Sequence, residues 1–316
     1  MLETNHVYAA MGNQPLFTYA VRRVRWAATV QQLRHYNWRA ALIVHALIVA
    51  LWLLLIYIAV LDYSAFYPAS SSAYFNIYSA VMSQGSSVIG WLMAISILLN
   101  AVLDFACLVF ALNSIGGEVS AGRWDLLRMT PIREEHIVAA KHSLAQVRAW
   151  RVMALVLYSR MATVLLLVLQ ILVVPLFIGD LYPLADMFRY DFFNPLLFLI
   201  TAAVFLAVYM VEPVWRMRAM TAVGIAVSSR VYNIAFGFLA AFAAMVTVWV
   251  VQAIILGIIG WVTVQLVASI FDFSLYMCGV LGMCLVTAYI VRAFYKALER
   301  WALDYATQRI YHEASR

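Results

Sequence analysis

The sequence predicts an all-α polytopic membrane protein, and three observations support this fold class. Only 11% of the 316 residues are charged, against about 25% in soluble domains. Several apolar runs reach the roughly 20 residues that a helix needs to cross the hydrocarbon core of a bilayer. The basic residues cluster between alternate runs, as they do in chains that cross a membrane repeatedly.

Six transmembrane helices are expected within a single membrane domain, residues 1–316. Five correspond to separate apolar runs. The remaining run, from Ala235 to Ile270, is too long for one crossing and leaves no room for a turn between two. We expect one crossing and then an apolar segment that dips back into the membrane, with the break near Gly257 and Gly260. The predicted spans are residues 41–61, 88–113, 152–178, 195–211, 235–258 and 274–294.

Charge distribution predicts the orientation of these spans. With six spans, nineteen of the 21 Lys and Arg residues fall on one side, Arg189 falls on the other and Arg160 lies within a span. Because basic loops stay on the cytoplasmic side, we expect both termini to be cytoplasmic in a multi-pass protein of the cell (inner) membrane. The first 38 residues hold no apolar region of signal-peptide length, so insertion through the spans themselves is expected.

The N-terminal segment, residues 15–38, combines basic residues with an apolar stripe. Phe17, Val21, Val24 and Ala28 recur at spacings of three and four, which favours an amphipathic helix lying in the membrane surface. The alternative is a basic flank that only sets topology. The tail, residues 295–316, is expected to be a solvated cytoplasmic extension of the last span.

Two charged residues fall within predicted spans at similar depth. Asp104 lies in the second span and Arg160 in the third, and a lone charge there would cost several kcal/mol. We therefore expect Asp104 and Arg160 to form an ion pair, either as an interhelical tie or as a gate or substrate contact. Glu212-Pro213 is expected to end the fourth span, followed by a basic flank or a second contact for a partner.

Uncharged polar residues within the predicted spans carry a weaker signal. Lone His or amide side chains in apolar helices more often bond a neighbouring helix than a ligand. We expect this of His45, Asn100, Gln170 and Gln252. The sequence shows no ligand cluster typical of a metal site and no convincing catalytic constellation.

The loop between the second and third spans, residues 114–151, is the largest soluble segment. Pro131 restrains Thr130 away from helical geometry and suits the start of a new helix, whose first turn Glu134 and Glu135 favour electrostatically. Upstream, residues 123–129 read "RWDLLRM" and favour a short helix. We expect a short helix, a corner and a second helix leading into the third span.

This loop contains the pattern Glu118-x-x-x-Gly122-x-x-x-Leu126-Leu127-x-x-Thr130-Pro131-Ile132, followed by Ile137-Val138-x-x-Lys141. The pattern resembles the cytoplasmic loop of ABC-2 type transporter permeases. The motif match covers this loop, whereas the order of predicted spans resembles the family over nearly the whole chain. The resemblance implies a coupling helix in the loop, and a re-entrant outer segment that would correspond to residues 259–273.

The resemblance also implies partners. A permease of this family dimerises, as a homodimer or a heterodimer, and each half docks an ATP-binding cassette subunit that holds ATP and Mg²⁺. The chain itself lacks G-x-x-x-x-G-K-[ST], so we expect no nucleotide site, no cofactor and no enzymatic activity in it. The residues that match the coupling region are Glu118, Gly122, Arg123, Trp124, Leu126, Leu127, Thr130 and Pro131.

The expected function is that of a permease subunit exporting a hydrophobic or lipid-like substrate, in contact with membrane lipid and not with nucleic acid. The few charges within the spans favour such a substrate over a multiply charged solute. The alternative is a non-transporting scaffold subunit of a larger membrane complex. An exposed Trp124 and the Leu126-Leu127 pair in a cytoplasmic loop favour the transporter.

Overall fold

The structure is a computed structural model that is entirely helical over the residues it describes. These are seven separate helical positions between residues 43 and 57, and residues 71–112, 114–120, 122, 134–177, 193–231, 234–268 and 273–314. The helices are α1 (Ser71–Leu112), α2 (Gly116–Ser120), α3 (Glu134–Phe177), α4 (Phe193–Arg230), α5 (Ile234–Ala268) and α6 (Phe273–Ala314).

Five of the described helices, all except α2, are long and apolar enough to cross a membrane. This supports the prediction of a multi-pass membrane protein. The remaining predicted span, residues 41–61, is described only at isolated positions, where Ile43, Leu47 and Tyr57 are helical and exposed. The predicted interfacial helix at 15–38 and the short loop helix at 123–129 lie outside the described residues.

The helices are longer than the spans that hydropathy defined. At 1.5 Å per residue the 42 residues of α1 extend about 63 Å, twice the hydrocarbon thickness. Residues 71–87, which precede the predicted span 88–113, therefore belong to α1. The second loop helix and the third span are likewise one helix, which begins at Glu134 as the charge pattern predicted.

Two predicted interruptions are wrong. Pro213 does not end the fourth span, because α4 continues to Arg230. The break at Gly257 and Gly260 is absent, because α5 runs through both glycines to Ala268, so a re-entrant segment at 259–273 is not confirmed. Neither glycine has an atom of another element near the position of its Cβ. In an apolar setting a continuous helix is favoured through such glycines, because it pairs the backbone N–H and C=O groups within the segment.

The tail is solvated on one face only, where Asp304, Gln308 and Arg309 are exposed. It continues the last span as part of α6, and Ala302, Ala306 and Ile310 are fully or almost fully buried. Alanines at this spacing leave room for close helix contact. The tail therefore forms part of the helix bundle.

Helix α4 is central to the bundle. It packs against the other four long helices and most extensively against α6. At Gly224 a Cβ would lie 2.6 Å from the Cβ of Ala111 and 3.2 Å from the Cα of Leu108, so the backbones of α1 and α4 approach closely there. Only glycine permits this contact without a shift of one helix.

Candidate functional site

Four charged side chains lie together within the bundle, and we call them the charged network: Asp104 of α1, Arg160 of α3, and Glu212 and Arg216 of α4. Asp104 and Arg160 are 0% and 3% exposed, and Arg216 is also buried. Two acids and two bases give no net formal charge. A buried group of charges is tolerated when each charge has an opposite partner and further hydrogen bonds.

Asp104 pairs with Arg216 rather than with Arg160. Its Oδ2 atom accepts a hydrogen bond of 2.8 Å from Nη1 of Arg216 and one of 2.7 Å from Nε1 of Trp249. The predicted direct pair of Asp104 with Arg160 is therefore wrong. Each of the two charges instead has an oppositely charged partner on α4.

Glu212 joins the two arginines. Its Oε1 atom accepts from Nε of Arg216 at 2.7 Å and from the Tyr295 hydroxyl at 3.0 Å, while Oε2 accepts from Nη2 of Arg160 at 2.6 Å. Arg216 lies four residues after Glu212, the spacing that places side chains on one helix face. Helix α4 thus carries the central acid–base pair, and α1 and α3 each supply one opposite charge.

Pro213 explains a further contact of Arg160. A proline within a helix has no N–H to donate to the carbonyl four residues earlier, which here is that of Tyr209. Nη1 of Arg160 donates to this Tyr209 carbonyl oxygen, and its guanidinium also lies 4.4 Å from the centroid of the Tyr209 ring. The guanidinium therefore satisfies an acceptor that the proline left without its helical partner.

Amide and hydroxyl groups complete the network. Asn100 Oδ1 accepts from Nη2 of Arg160 at 3.1 Å, and Gln252 Oε1 accepts from Nη2 of Arg216 at 3.1 Å. Gln252 Oε1 also lies 3.2 Å from the Tyr295 hydroxyl, whose one proton it shares with Glu212. The prediction that such amides bond neighbouring helices is confirmed for Asn100 and Gln252. With Trp249 and Gln252 from α5 and Tyr295 from α6, each long helix that the structure describes contributes to the network.

Two buried atoms of the network have no hydrogen-bond partner within the described part of the chain. They are Oδ1 of Asp104 and Nε of Arg160. One is an acceptor and the other a donor, so the network still has capacity for one hydrogen bond of each kind.

Sequence reasoning located Asp104 and Arg160 but missed the roles of Glu212 and Arg216. Both were assigned to the cytoplasmic boundary because Pro213 suggested the end of a helix. One available signal was the balance of charges, since two intramembrane charges of opposite sign and an acid–base pair at i, i+4 spacing make a neutral set.

A second cluster forms where the loop between α1 and α3 leaves the bundle, and we call it the loop-base junction. Nζ of Lys141 donates to Oε1 of Glu118 at 2.9 Å. Ile137 and Val138 are buried against residues of α1, α4 and α6. These four residues all belong to the loop pattern. They therefore lie together at one end of the bundle.

Ser228 of α4 supports the junction through three hydrogen bonds. Its Oγ atom accepts from the backbone N–H groups of Ile115 and Gly116, at 3.2 and 3.1 Å, and donates to the Leu112 carbonyl oxygen at 2.5 Å. These backbone groups lie at the end of α1 and the start of α2, where helices have unpaired donors and acceptors. The Ser228 side chain of α4 therefore caps the end of α1 and the start of α2.

Of the predicted coupling residues, Glu118 and Gly122 are described. Gly122 has a φ of 66°, a left-handed conformation that favours glycine. The backbone conformation therefore explains why a glycine occupies this position. Arg123, Trp124, Leu126, Leu127, Thr130 and Pro131 lie outside the described residues. Among the residues that are described, no group of three or more His, Cys, Asp or Glu side chains could hold a metal ion.

The fold and the charged network define the class: an all-α protein with several helices able to cross a membrane and paired charges between them. Comparisons with protein-family models, curated proteins and solved structures found no match. The two clusters can tie helices together and fix the base of a loop, which are mechanical roles.

Proposed function

We propose that this chain is the membrane-spanning subunit of an ABC-2 type transporter and exports a hydrophobic or lipid-like substrate. A separate ATP-binding subunit, carrying ATP and Mg²⁺, docks on the loop between α1 and α3. A second permease subunit, identical or different, completes the transporter. The energy of ATP hydrolysis reaches the bundle through this loop.

The observation that best supports the proposal is the position of the loop pattern at the loop-base junction. Glu118 comes from one end of the loop and Lys141 from the other, and their ion pair holds the two ends together. Ile137 and Val138 anchor α3 among buried residues of three other helices. Because interiors are closely packed, force applied to a loop fixed in this way moves helices rather than the loop alone.

Such a movement would act on the charged network within the bundle. Glu212 and Arg216 lie on the central helix, and their partners lie on α1 and α3, the two helices that the loop joins. A relative shift of α1 and α3 therefore has to rearrange at least one buried ion pair. A small set of discrete pairings is the kind of element that gives a bundle two alternative arrangements.

The proposal is tested by purifying the chain from native membranes in a mild detergent and identifying the chains that accompany it by mass spectrometry. We expect an ATP-binding subunit, and we expect Leu127→Asp to release it, because a buried carboxylate in an apolar contact is costly. Gln308→Asp is the control, since it places a carboxylate at an exposed position on α6. Size-exclusion chromatography checks that both variants remain folded.

The opposite result is a stable complex with other membrane proteins and no ATP-binding subunit. That result would support the scaffold hypothesis. An ATP-binding subunit that remains bound to Leu127→Asp would leave the transporter assignment intact but would contradict the docking position.

A further inference from the structure

One face of α6 changes from apolar to basic along its length. Leu285, Tyr289, Arg292, Lys296 and Arg300 follow one another at spacings of three and four, so they share a face of the helix. All five are exposed, and Tyr289 is 74% exposed. The face therefore presents apolar side chains toward one end and cations toward the other.

The cations of this face are free to bind an external anion. Lys296 and Arg300 form no ion pair or hydrogen bond with the described residues, and Arg292 contacts only the ring of Trp215, at 6.0 Å. Glu299, which lies between Lys296 and Arg300 in sequence, pairs instead with Arg218 at 3.2 Å. Asp304, one turn further on and also exposed, is the one acid adjacent to the face along α6.

Exposed tryptophans indicate the depth of this face. Tyr295 and Arg160 both bond Glu212 and so mark one level. From that level toward the loop-base junction, Trp301 lies about 9 Å along α6 and Trp150 about 15 Å along α3. Exposed Trp residues beside Arg or Lys are typical of a membrane–water interface, because the indole ring is amphipathic.

Trp301 is also held in a defined orientation. Its ring stacks on that of Tyr305, with centroids 5.9 Å apart, while 64% of the residue stays exposed. A stacked and exposed indole offers a firm surface at the level of the lipid headgroups. Along the axis of α6, the cations lie between the level of this ring and the apolar part of the face.

We propose that the face formed by Arg292, Lys296 and Arg300 binds an anionic phospholipid of the leaflet nearer to the loop-base junction. The cations hold the phosphate-bearing headgroup, and the acyl chains lie along Leu285 and Tyr289. An amphipathic ligand accounts for both halves of the face, whereas an acidic protein segment would account only for the basic half. This inference does not depend on transport activity.

The test is native mass spectrometry of the full chain in detergent, titrated with phosphatidylglycerol and, separately, with phosphatidylcholine of the same acyl chains. We expect tighter binding of phosphatidylglycerol. Lys296→Gln and Arg300→Gln should each weaken it about fivefold, since a cation near the surface contributes on the order of 1 kcal/mol. Binding of phosphatidylcholine should change little in either variant.

Two matched variants act as controls. Arg230→Gln removes an exposed cation at the end of α4, away from the face, and should leave lipid binding unchanged. Asp304→Asn removes the adjacent acid and should strengthen phosphatidylglycerol binding. These substitutions are at exposed positions, and size-exclusion chromatography verifies that each variant is folded.

Three outcomes would overturn the proposal. The first is equal affinity for the two lipids, and the second is a loss in Arg230→Gln as large as that in Lys296→Gln. The third is displacement of the lipid by millimolar inorganic phosphate, which would indicate a site for soluble anions.

Discussion

The charged network and the loop-base junction hold the same helices together by different means. In the network, buried charges of α1, α3 and α4 are matched one by one, with bond lengths of 2.6 to 2.8 Å. In the junction, small and apolar side chains pack closely, and its ion pair lies at the edge with Lys141 19% exposed. Removal of one group should therefore be severe in the network and graded in the junction.

The difference has a simple cause. A buried charge that loses its partner retains its full desolvation cost, because no water replaces the missing group. A buried methyl group that is removed costs only its own transfer and packing free energy. Charges therefore make the network specific in its pairing, while shape makes the junction tight.

The largest effect is expected from Arg216→Gln. It leaves Asp104 without its cation, and we expect a loss of about 3–5 kcal/mol in the free energy of unfolding, seen as a lower Tm and less monodisperse protein. Arg218→Gln is the control on the same helix, because Arg218 pairs with Glu299 in a partly exposed setting. Equal losses in the two variants would contradict the distinction between a buried and a partly exposed ion pair.

A double-mutant cycle sharpens this test. Asp104→Asn should partly restore the stability of Arg216→Gln, since it removes the charge left unpaired. Residues in contact couple by about 0.5–3 kcal/mol, so the coupling of Asp104 with Arg216 should exceed its coupling with Arg160. The reverse order would restore the pairing that the sequence suggested.

A smaller effect is expected from Gly224→Ala, where α1 and α4 approach most closely. The added Cβ would lie 2.6 Å from that of Ala111, so the helices must separate, at a cost of about 1–3 kcal/mol. Gly257→Ala is the matched control, because no atom of another helix lies within 4 Å of the position of its Cβ. A Tm for Gly224→Ala equal to that of the control would show that the helices do not pack this closely.

Ser228→Ala should weaken the junction by about 1–2 kcal/mol. The substitution leaves the backbone N–H groups of Ile115 and Gly116 without their acceptor. Hydrogen exchange at these two amides, followed by mass spectrometry, should accelerate. Thr247→Ala, which removes a hydroxyl bonded only within its own helix, should leave their exchange unaltered.

The smallest effect on stability is expected from Lys141→Gln. Its partly exposed ion pair with Glu118 contributes less than about 1 kcal/mol. If the loop is the docking site, the same variant should nevertheless reduce ATPase activity stimulated by the permease. A large fall in Tm would mean that the ion pair, rather than apolar packing, holds the junction.

Several elements of the structure could be predicted from local sequence. Apolar length identified the long helices, and Pro131 with Glu134 and Glu135 identified the start of α3. Local rules failed at Pro213, Gly257 and Gly260, each of which lies within a continuous helix. At Pro213 a side chain of another helix bonds the carbonyl that the proline leaves free, and no local pattern indicates such a donor.

The sequence by itself determined the all-α class, the apolar helices and the presence of buried charges, because these follow from composition and spacing along the chain. The tertiary structure decided which charges pair, which glycine lies at a helix contact and that the tail packs in the bundle. Pairing depends on which helices are neighbours and on their relative depth. Asp104 and Arg216 are 112 residues apart, and a distance of that kind is set by packing rather than by sequence spacing.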